Sequence, residues 1–204
     1  MRRLFLLLAA VVLSGCGSGA VAISHDEFAG LPREYRQEIF DAENDLVIAR
    51  NREGDAHDRK ASAERALGDL SARWSRTSQA LSASGQAAKV PSARKVFDMN
   101  AAYIASLVNV AAATIRTTEA GTQLSRARLD LVKQRQLARI GRATLGSIKP
   151  LEDKVTDAEQ RLKVATAAEV DLRTRVQGQL NAWKVAEDAY VAASGDYDTG
   201  VWGE

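Results

Sequence analysis

Nucleophilic and metal-ligating side chains are scarce in this sequence, which contains one cysteine, Cys16, and two histidines, His25 and His57. His25 lies between Ser24 and Asp26, so the three residue types of a hydrolase triad are adjacent. Adjacent residues do not form a triad, because its geometry requires side chains from separate elements to converge on one pocket. The sequence therefore predicts no nucleophilic active site around His25.

The second histidine, His57, lies between Asp55 and Asp58 in a polar tract, RNREGDAHDRK, at 50–60. Imidazole and carboxylate groups are metal ligands, but this spacing matches neither the HExxH pattern nor a cysteine cluster. A solvated surface is the favoured interpretation, with weak metal binding as the alternative. The sequence also lacks a glycine-rich phosphate loop. We therefore expect a protein that is not an enzyme and that binds no metal or other cofactor.

The only cysteine, Cys16, ends a segment with the layout of a secretory signal. Arg2 and Arg3 form a basic start, and ten apolar residues, 4–13, follow. A membrane-spanning helix needs roughly 20 such residues, so this apolar run is too short to cross a bilayer. Residues 1–15 are therefore predicted to be a signal peptide.

The sequence Leu13-Ser14-Gly15-Cys16 resembles the lipobox of bacterial lipoproteins. The resemblance implies that Cys16 is thioether-linked to a diacylglyceryl group, that the chain is cut before it, and that the new amino terminus is acylated. Two or more acyl chains form a stable anchor, at about 0.8 kcal/mol per buried methylene. An ordinary secretory signal with an incidental cysteine is the alternative, but a thiol without a disulfide partner in the chain favours lipidation.

Removal of residues 1–15 changes the charge of the chain. The full sequence has 28 basic and 26 acidic residues, and the loss of Arg2 and Arg3 makes the two numbers equal. A neutral chain with scattered charges carries no electrostatic footprint for nucleic acid. The residue after Cys16 is Gly17, not the aspartate that resembles an inner-membrane retention signal in enteric bacteria. We therefore expect the periplasmic face of the outer membrane, with the inner membrane less favoured.

Hydrophobic spacing predicts three long helices, at about 33–84, 92–141 and 148–193. In each, apolar residues recur with the 4,3 spacing of a helix that buries one face. Sustained over many heptads and joined by short Gly/Pro-marked turns, this pattern predicts an all-α fold: an elongated antiparallel three-helix coiled-coil bundle, up-down-up, ~70 Å long. The polar tract at 50–60, with Gly54, leaves open a break in the first helix.

The predicted domain organisation has four parts. They are the signal peptide 1–15, a lipidated amino terminus and flexible linker 16–31, the coiled-coil domain 32–195, and a carboxy-terminal tail 196–204. Within the second helix, 99–115 carries no charge. The favoured interpretation is a middle helix buried on several sides, and a membrane segment is the alternative.

Polar residues interrupt the apolar stripes near mid-length and predict a polar core layer. Its members are Glu53, Lys60, Thr118, Thr122 and Glu169. Such a layer is poor for stability but can fix register and helix partners, and an ion or small-ligand site is the alternative.

Aromatic residues collect towards the far end of the predicted bundle and in the tail. The candidates for partner binding are Trp183, Tyr190, Tyr197 and Trp202. Indole and phenol rings are common anchors at interfaces, but packing in the core is the favoured interpretation for those within the helices, and docking is the alternative.

Residues 137–180 resemble the helical hairpin of outer-membrane efflux proteins of the TolC type. Gly141 corresponds to the tip, and Asp153, Ala158 and Leu162 follow it on a long amphipathic helix. That family also has membrane strands and two repeats, for which this sequence shows no pattern. The resemblance therefore implies a shortened relative or an accessory of such an assembly.

Taken together, these features favour a lipid-anchored periplasmic coiled-coil scaffold, spacer or adaptor of the bacterial envelope. The expected partners are the membrane, through the acyl chains, and an unidentified envelope protein, with a homo-oligomer left open. A component or accessory of an efflux-type helical assembly is the first alternative. Small-ligand or ion binding at the polar layer is the second.

Overall fold

The computed structural model describes residues 20–143 and 145–195, which form helices and turns with no β-strand among them. The four α-helices are α1 (His25–Gly30), α2 (Arg33–Ala83), α3 (Val90–Arg139) and α4 (Lys149–Ser194). Short 3-10 turns at Ala87–Lys89 and Leu145–Ser147 lie in the two connections between the long helices. The expected all-α class is confirmed.

The long helices end where glycine adopts a left-handed conformation. Gly85 after α2 has φ 77° and Gly141 after α3 has φ 73°. Residues with a Cβ adopt such φ values only at a cost in conformational energy. The bounds of the three long helices differ from the predicted ones by at most two residues. α2 is continuous through 50–60, because one glycine, Gly54, lowers helix stability by only about 1 kcal/mol.

The predicted flexible linker at 16–31 differs from the structure over its described part. Ser24 caps α1: its hydroxyl accepts the Glu27 N–H at 3.3 Å, and the Glu27 carboxylate accepts the Ser24 N–H at 2.9 Å. Hydrogen bonds that the Ser24 N–H and the Ser24 hydroxyl donate to the Glu27 carboxylate lower the pKa of Glu27. Leu31, only 3% exposed, then joins a core cluster on α2 and α3. A six-residue helix is too short to show a hydrophobic period, so the sequence pattern could not reveal it.

Helix α3 lies between the other two long helices. It packs along both α2 and α4, whereas α2 and α4 do not pack along one another over their described lengths. Phe97 packs on α2 through Leu70, while its neighbour Val96 packs on α4 through Tyr190. Successive residues point about 100° apart around a helix. The two contact stripes of α3 are therefore adjacent, and α2 and α4 lie side by side on α3 without packing along one another.

By length and composition alone, the helical stretch Ala87–Arg139 is apolar enough to cross a membrane. The core helix of a soluble bundle meets the same criterion. A third of the most apolar window of this stretch is buried in the structure, where α2 and α4 pack along α3 and favour apolar or small side chains.

At one end of the molecule, which we call the aromatic end, all three long helices enter one apolar cluster. Its members are Ala93, Val96, Ala186 and Tyr190, with Trp74, Leu81, Met99 and Trp183 packed against them. Trp74 stacks on Phe97, with ring centroids 5.2 Å apart, and the Arg94 guanidinium lies 5.4 Å and 5.1 Å from the two centroids. Aromatic and cation–π contacts thus add to the area that is buried here.

At the opposite end, which we call the α1 end, the contact between α2 and α3 includes polar groups. The fully buried Gln136 donates to Glu38 and accepts from Arg139 at 3.0 Å. Lys133 pairs with Glu43 at 3.1 Å. Because each group of the Gln136 amide has a partner, its burial avoids the penalty of an unsatisfied polar group.

Candidate functional site

The structure brings together two of the residues predicted for the polar layer. Thr122 on α3 donates its hydroxyl to Glu53 Oε2 on α2 at 2.7 Å. Both residues are half-buried, and the bond fixes one oxygen of the carboxylate against α3. The side chains of Glu53 and Thr122 therefore form a polar link between α2 and α3.

Glu169 on α4 lies in a second, separate polar contact. Its side chain is almost buried and accepts the Thr114 hydroxyl at 2.8 Å and Arg173 Nε at 2.9 Å. Burial opposes ionisation, but hydrogen bonds from Arg173, Thr114 and Thr117 outweigh it and lower the pKa of Glu169. The contact therefore binds α4 to α3 through an ionised, compensated carboxylate.

The five predicted residues do not form one layer. The Thr114 and Thr122 contacts are eight residues apart on α3, or ~12 Å along its axis. Lys60 pairs with Glu64 on its own helix, and the Thr118 hydroxyl donates to the Thr114 carbonyl at 3.0 Å. Partners one turn away are reached more easily than partners on another helix, which explains why Lys60 and Thr118 are absent from the inter-helix contacts.

Three potential metal ligands converge on the same side of α2 and α3. Oxygen and nitrogen atoms of Glu53, His57 and Glu119 lie within 4.8 Å of one another. Asp55 and Asp58 are the neighbours of His57 in the sequence. Because α2 is continuous here, they point in other directions around the helix than His57 does. In the sequence, the spacing of Glu53 and His57 by one helical turn was the signal that could have indicated a pair of metal ligands. Glu119 became identifiable only through the register of α3 against α2.

Because α2 and α4 do not pack along one another, a groove lies between them, with α3 as its floor. The groove has a volume of about 490 Å³. Its floor carries small or short side chains, whereas charged side chains lie at its edges. Residues of the floor and of the apolar walls include Ala42, Ala49, Thr118, Gly121, Ser125 and Leu162. The lining of the groove therefore combines a floor of mostly small side chains with apolar walls and charged edges.

A second apolar surface lies on the outside of the α3–α4 pair. Val164 on α4 is 60% exposed and lines a hollow of about 410 Å³ with Ala113, Ala165, Ala168 and Leu172. Val170 and Val185, also on α4, are exposed as well. A continuous exposed apolar patch is typical of protein contacts, so the hollow around Val164 is the candidate contact surface on this helix.

The aromatic candidates occupy different environments. Tyr190 is only 2% exposed, which agrees with the favoured interpretation of core packing rather than with a surface anchor. Trp183 is half-buried and stacks on Tyr103, with ring centroids 5.5 Å apart. Packing against α3 explains both positions. Tyr197, Trp202 and Cys16 lie outside the described residues.

Comparisons of the chain with protein-family models, with curated proteins and with solved structures found no match. The chain is therefore assigned to no family. Its function has to be argued from the quoted sequence motifs and from the geometry of the helices.

Proposed function

We propose that this chain is a lipid-anchored periplasmic coiled-coil scaffold, spacer or adaptor of the bacterial outer membrane. In this proposal its three long helices act as an elongated up-down-up bundle. The lipobox-like sequence before Cys16 supports the anchor, and the antiparallel pairing of α3 with α2 and with α4 supports the bundle. The proposed activity is protein binding along the helices.

The position of Cys16 would orient the bundle on the membrane. Ala20, the first described residue, lies four positions after Cys16, and a chain spans at most ~3.6 Å per residue. The start of the described chain would lie within about 15 Å of the lipid. Because α2 has 51 residues, the aromatic end would project ~75 Å from the α1 end. That distance supports the interpretation as a spacer.

The observation that carries the proposal is the groove between α2 and α4. An amphipathic helix binds in a groove by placing its apolar face against small side chains, and small residues on the floor allow its backbone to approach. Asp45, Arg52 and Arg128 provide charges at the edge, which suit the polar flanks of such a helix. The proposed occupant is therefore a helix of an envelope protein.

Site-specific photo-crosslinking in the native envelope tests this function. One probe replaces Asp45, which lines the groove, and the control probe replaces Asn51, which is exposed on α2 outside it. We expect one discrete adduct from position 45, none from position 51, and loss of the adduct when Cys16→Ser removes the anchor. Equal adducts at both positions, or none at position 45, would contradict the proposal.

The efflux-type assembly remains the second candidate, because the exposed valines of α4 supply a surface for neighbouring copies. Val164 and Val170 are both more than half exposed. Electron microscopy of the purified chain distinguishes the candidates: a ring of three or more copies with an open lumen favours the assembly, and a single closed bundle opposes it.

A further inference from the structure

We propose that Glu53, His57 and Glu119 form a binding site for one divalent transition-metal ion of the zinc type, which links α2 to α3. Their ligand atoms already lie within 4.8 Å of one another. The proposal deepens the ion-binding alternative. It depends on neither the lipid anchor nor a partner, so its failure would leave the scaffold function untouched.

Two of the ligands come from one turn of helix. Glu53 and His57 are four residues apart on α2, which is helical throughout this region, and side chains with this spacing lie side by side. Glu119 on α3 is three residues before Thr122, the residue that contacts Glu53. The third ligand therefore faces the first two because of the antiparallel register of the two helices.

Thr122 positions the Glu53 carboxylate. Its hydroxyl donates to Oε2 at 2.7 Å, which restricts the rotation of the carboxylate and leaves Oε1 available to an ion. A hydrogen bond of this kind reduces the freedom of a ligand and raises the affinity of a metal site. The contact that joins α2 to α3 would thus also support metal binding.

The donor set has the charge and chemistry for this class of ion. Two carboxylates and one neutral imidazole carry a charge that balances a divalent cation, and zinc accepts three such ligands together with water. Imidazole is not a ligand that calcium or magnesium prefers. Zinc–ligand bonds of about 2.0–2.2 Å place tetrahedral donors roughly 3.4 Å apart. Exposed side chains such as His57 and Glu119 can close the remaining distance by rotamer changes.

The surroundings leave room for water ligands. Glu53 and Glu119 line a hollow of about 300 Å³ together with Gln123 and Arg126. The Arg126 guanidinium partly balances the carboxylates when no cation is present and leaves a net attraction for a divalent ion. Glu119 lies five residues after Thr114, which contacts α4, so it points to a different side of α3. The site therefore lies outside the groove between α2 and α4.

Isothermal titration with Zn²⁺ tests the site in the full chain carrying Cys16→Ser, so that the only thiol cannot act as a ligand. We expect one Zn²⁺ per chain, and a loss of at least about tenfold in affinity for His57→Gln and for Glu119→Gln. The matched control is His25→Gln, which changes the only other histidine and should bind as the parent does. Thr122→Val should weaken binding less than the ligand variants. Circular dichroism verifies that each variant is helical.

Three results would overturn the proposal. They are the absence of saturable binding at micromolar Zn²⁺, equal losses for His57→Gln and His25→Gln, and Ca²⁺ binding as tight as Zn²⁺ binding. Because His57 and Glu119 are exposed, their replacement should leave the fold intact, and a loss of affinity can then be assigned to the ligands.

Discussion

At the aromatic end, side chains from all three long helices enter one apolar cluster. At the α1 end, the described apolar cluster contains residues of α2 and α3 but none of α4, and ion pairs lie at the contact between α3 and α4. Tyr190 and Val96 are almost fully buried at the first end. At the second, Arg128–Glu159 and Arg135–Glu152 join α3 to α4, each at 2.8 Å, through half-exposed side chains. The two ends therefore differ in the type of interaction that holds α4 on α3.

This difference bears on the groove. Burial of a large side chain contributes about 1.5–3 kcal/mol and is not screened by salt, whereas an exposed ion pair contributes roughly 0–1 kcal/mol and is screened. Near the α1 end α4 buries the smaller pair Leu151 and Ala158 and shares no described cluster with α2. We therefore expect this part of α4, where Leu162 lines the groove, to be attached more weakly than the part near Tyr190. A bundle that is closed at one end and adjustable at the other can admit a helix without unfolding.

The largest expected effect is at the aromatic end, where Tyr190→Ala should lower the free energy of unfolding by about 3–5 kcal/mol. The ring is 2% exposed and lies among residues of α3 and α4, so its removal leaves a cavity. Urea denaturation monitored by circular dichroism measures the loss. The control Val185→Ala, at a side chain 68% exposed, should change the free energy by less than about 0.5 kcal/mol.

A loss below about 1 kcal/mol for Tyr190→Ala would mean that the ring is not a core residue. It would also revive Tyr190 as an anchor for a partner. The experiment therefore distinguishes core packing of Tyr190 from partner binding by its ring, and it measures how much this ring stabilises the aromatic end.

An intermediate effect is expected at mid-length, where Glu169 joins α4 to α3. Because hydrogen bonds lower its pKa in the folded chain, this carboxylate stabilises the fold at neutral pH. The contribution is full above the pKa of the unfolded chain and is lost as the pH falls through the lower folded value. Glu169→Gln should be less stable than the parent at neutral pH, and the difference should vanish in acid.

Thermal unfolding of the two chains across this pH range measures the effect. Thr114→Val, which removes one of the hydrogen bonds to Glu169, should reduce the pH dependence without abolishing it. A constant difference between the parent and Glu169→Gln at all pH values would show that shape, and not charge, determines the role of Glu169.

Much of this fold was predictable because it depends on hydrophobic period and on turn residues. Leu46 and Leu70 follow the predicted stripe of α2 and are buried, and Gly85 and Gly141 end their helices as glycine does at a left-handed cap. Such signals are local, so a single sequence contains them. α1 is local as well, but six residues are too few for a period to appear.

The contacts between helices were less predictable, because they depend on how α2 and α4 are arranged around α3. The 4,3 spacing identifies one apolar stripe on α3. The second stripe is shifted from the first by one residue, as Val96 is from Phe97, and the many alanines of α3 make the two stripes hard to distinguish in the sequence. Without the second stripe, Glu169 was placed in one layer with Glu53, and Glu119 was not considered. The register of α2 against α3 and the separation of α2 from α4 are properties of the packed helices. The groove and the cluster around His57 are therefore visible only in the structure.

The smallest expected effect distinguishes the two ends directly by their response to salt. Raising NaCl from 0.1 M to 1 M shortens the screening length from about 10 Å to about 3 Å. Amides in 152–162 of α4 should then exchange hydrogen a few-fold faster, corresponding to less than about 1 kcal/mol. Amides in 183–190 should change less, because apolar burial holds them. Hydrogen exchange followed by mass spectrometry resolves both segments.

The variant Arg135→Gln separates screening of this ion pair from other effects of salt. It removes the partner of Glu152, so the 152–162 segment should exchange faster than in the parent already at 0.1 M NaCl and respond less to further salt. Arg175→Gln, which breaks an exposed pair within α4, should not alter this response. If salt instead accelerates exchange most at 183–190, the contrast between a closed aromatic end and an adjustable α1 end is wrong. A partner helix would then have to enter the groove from the aromatic end.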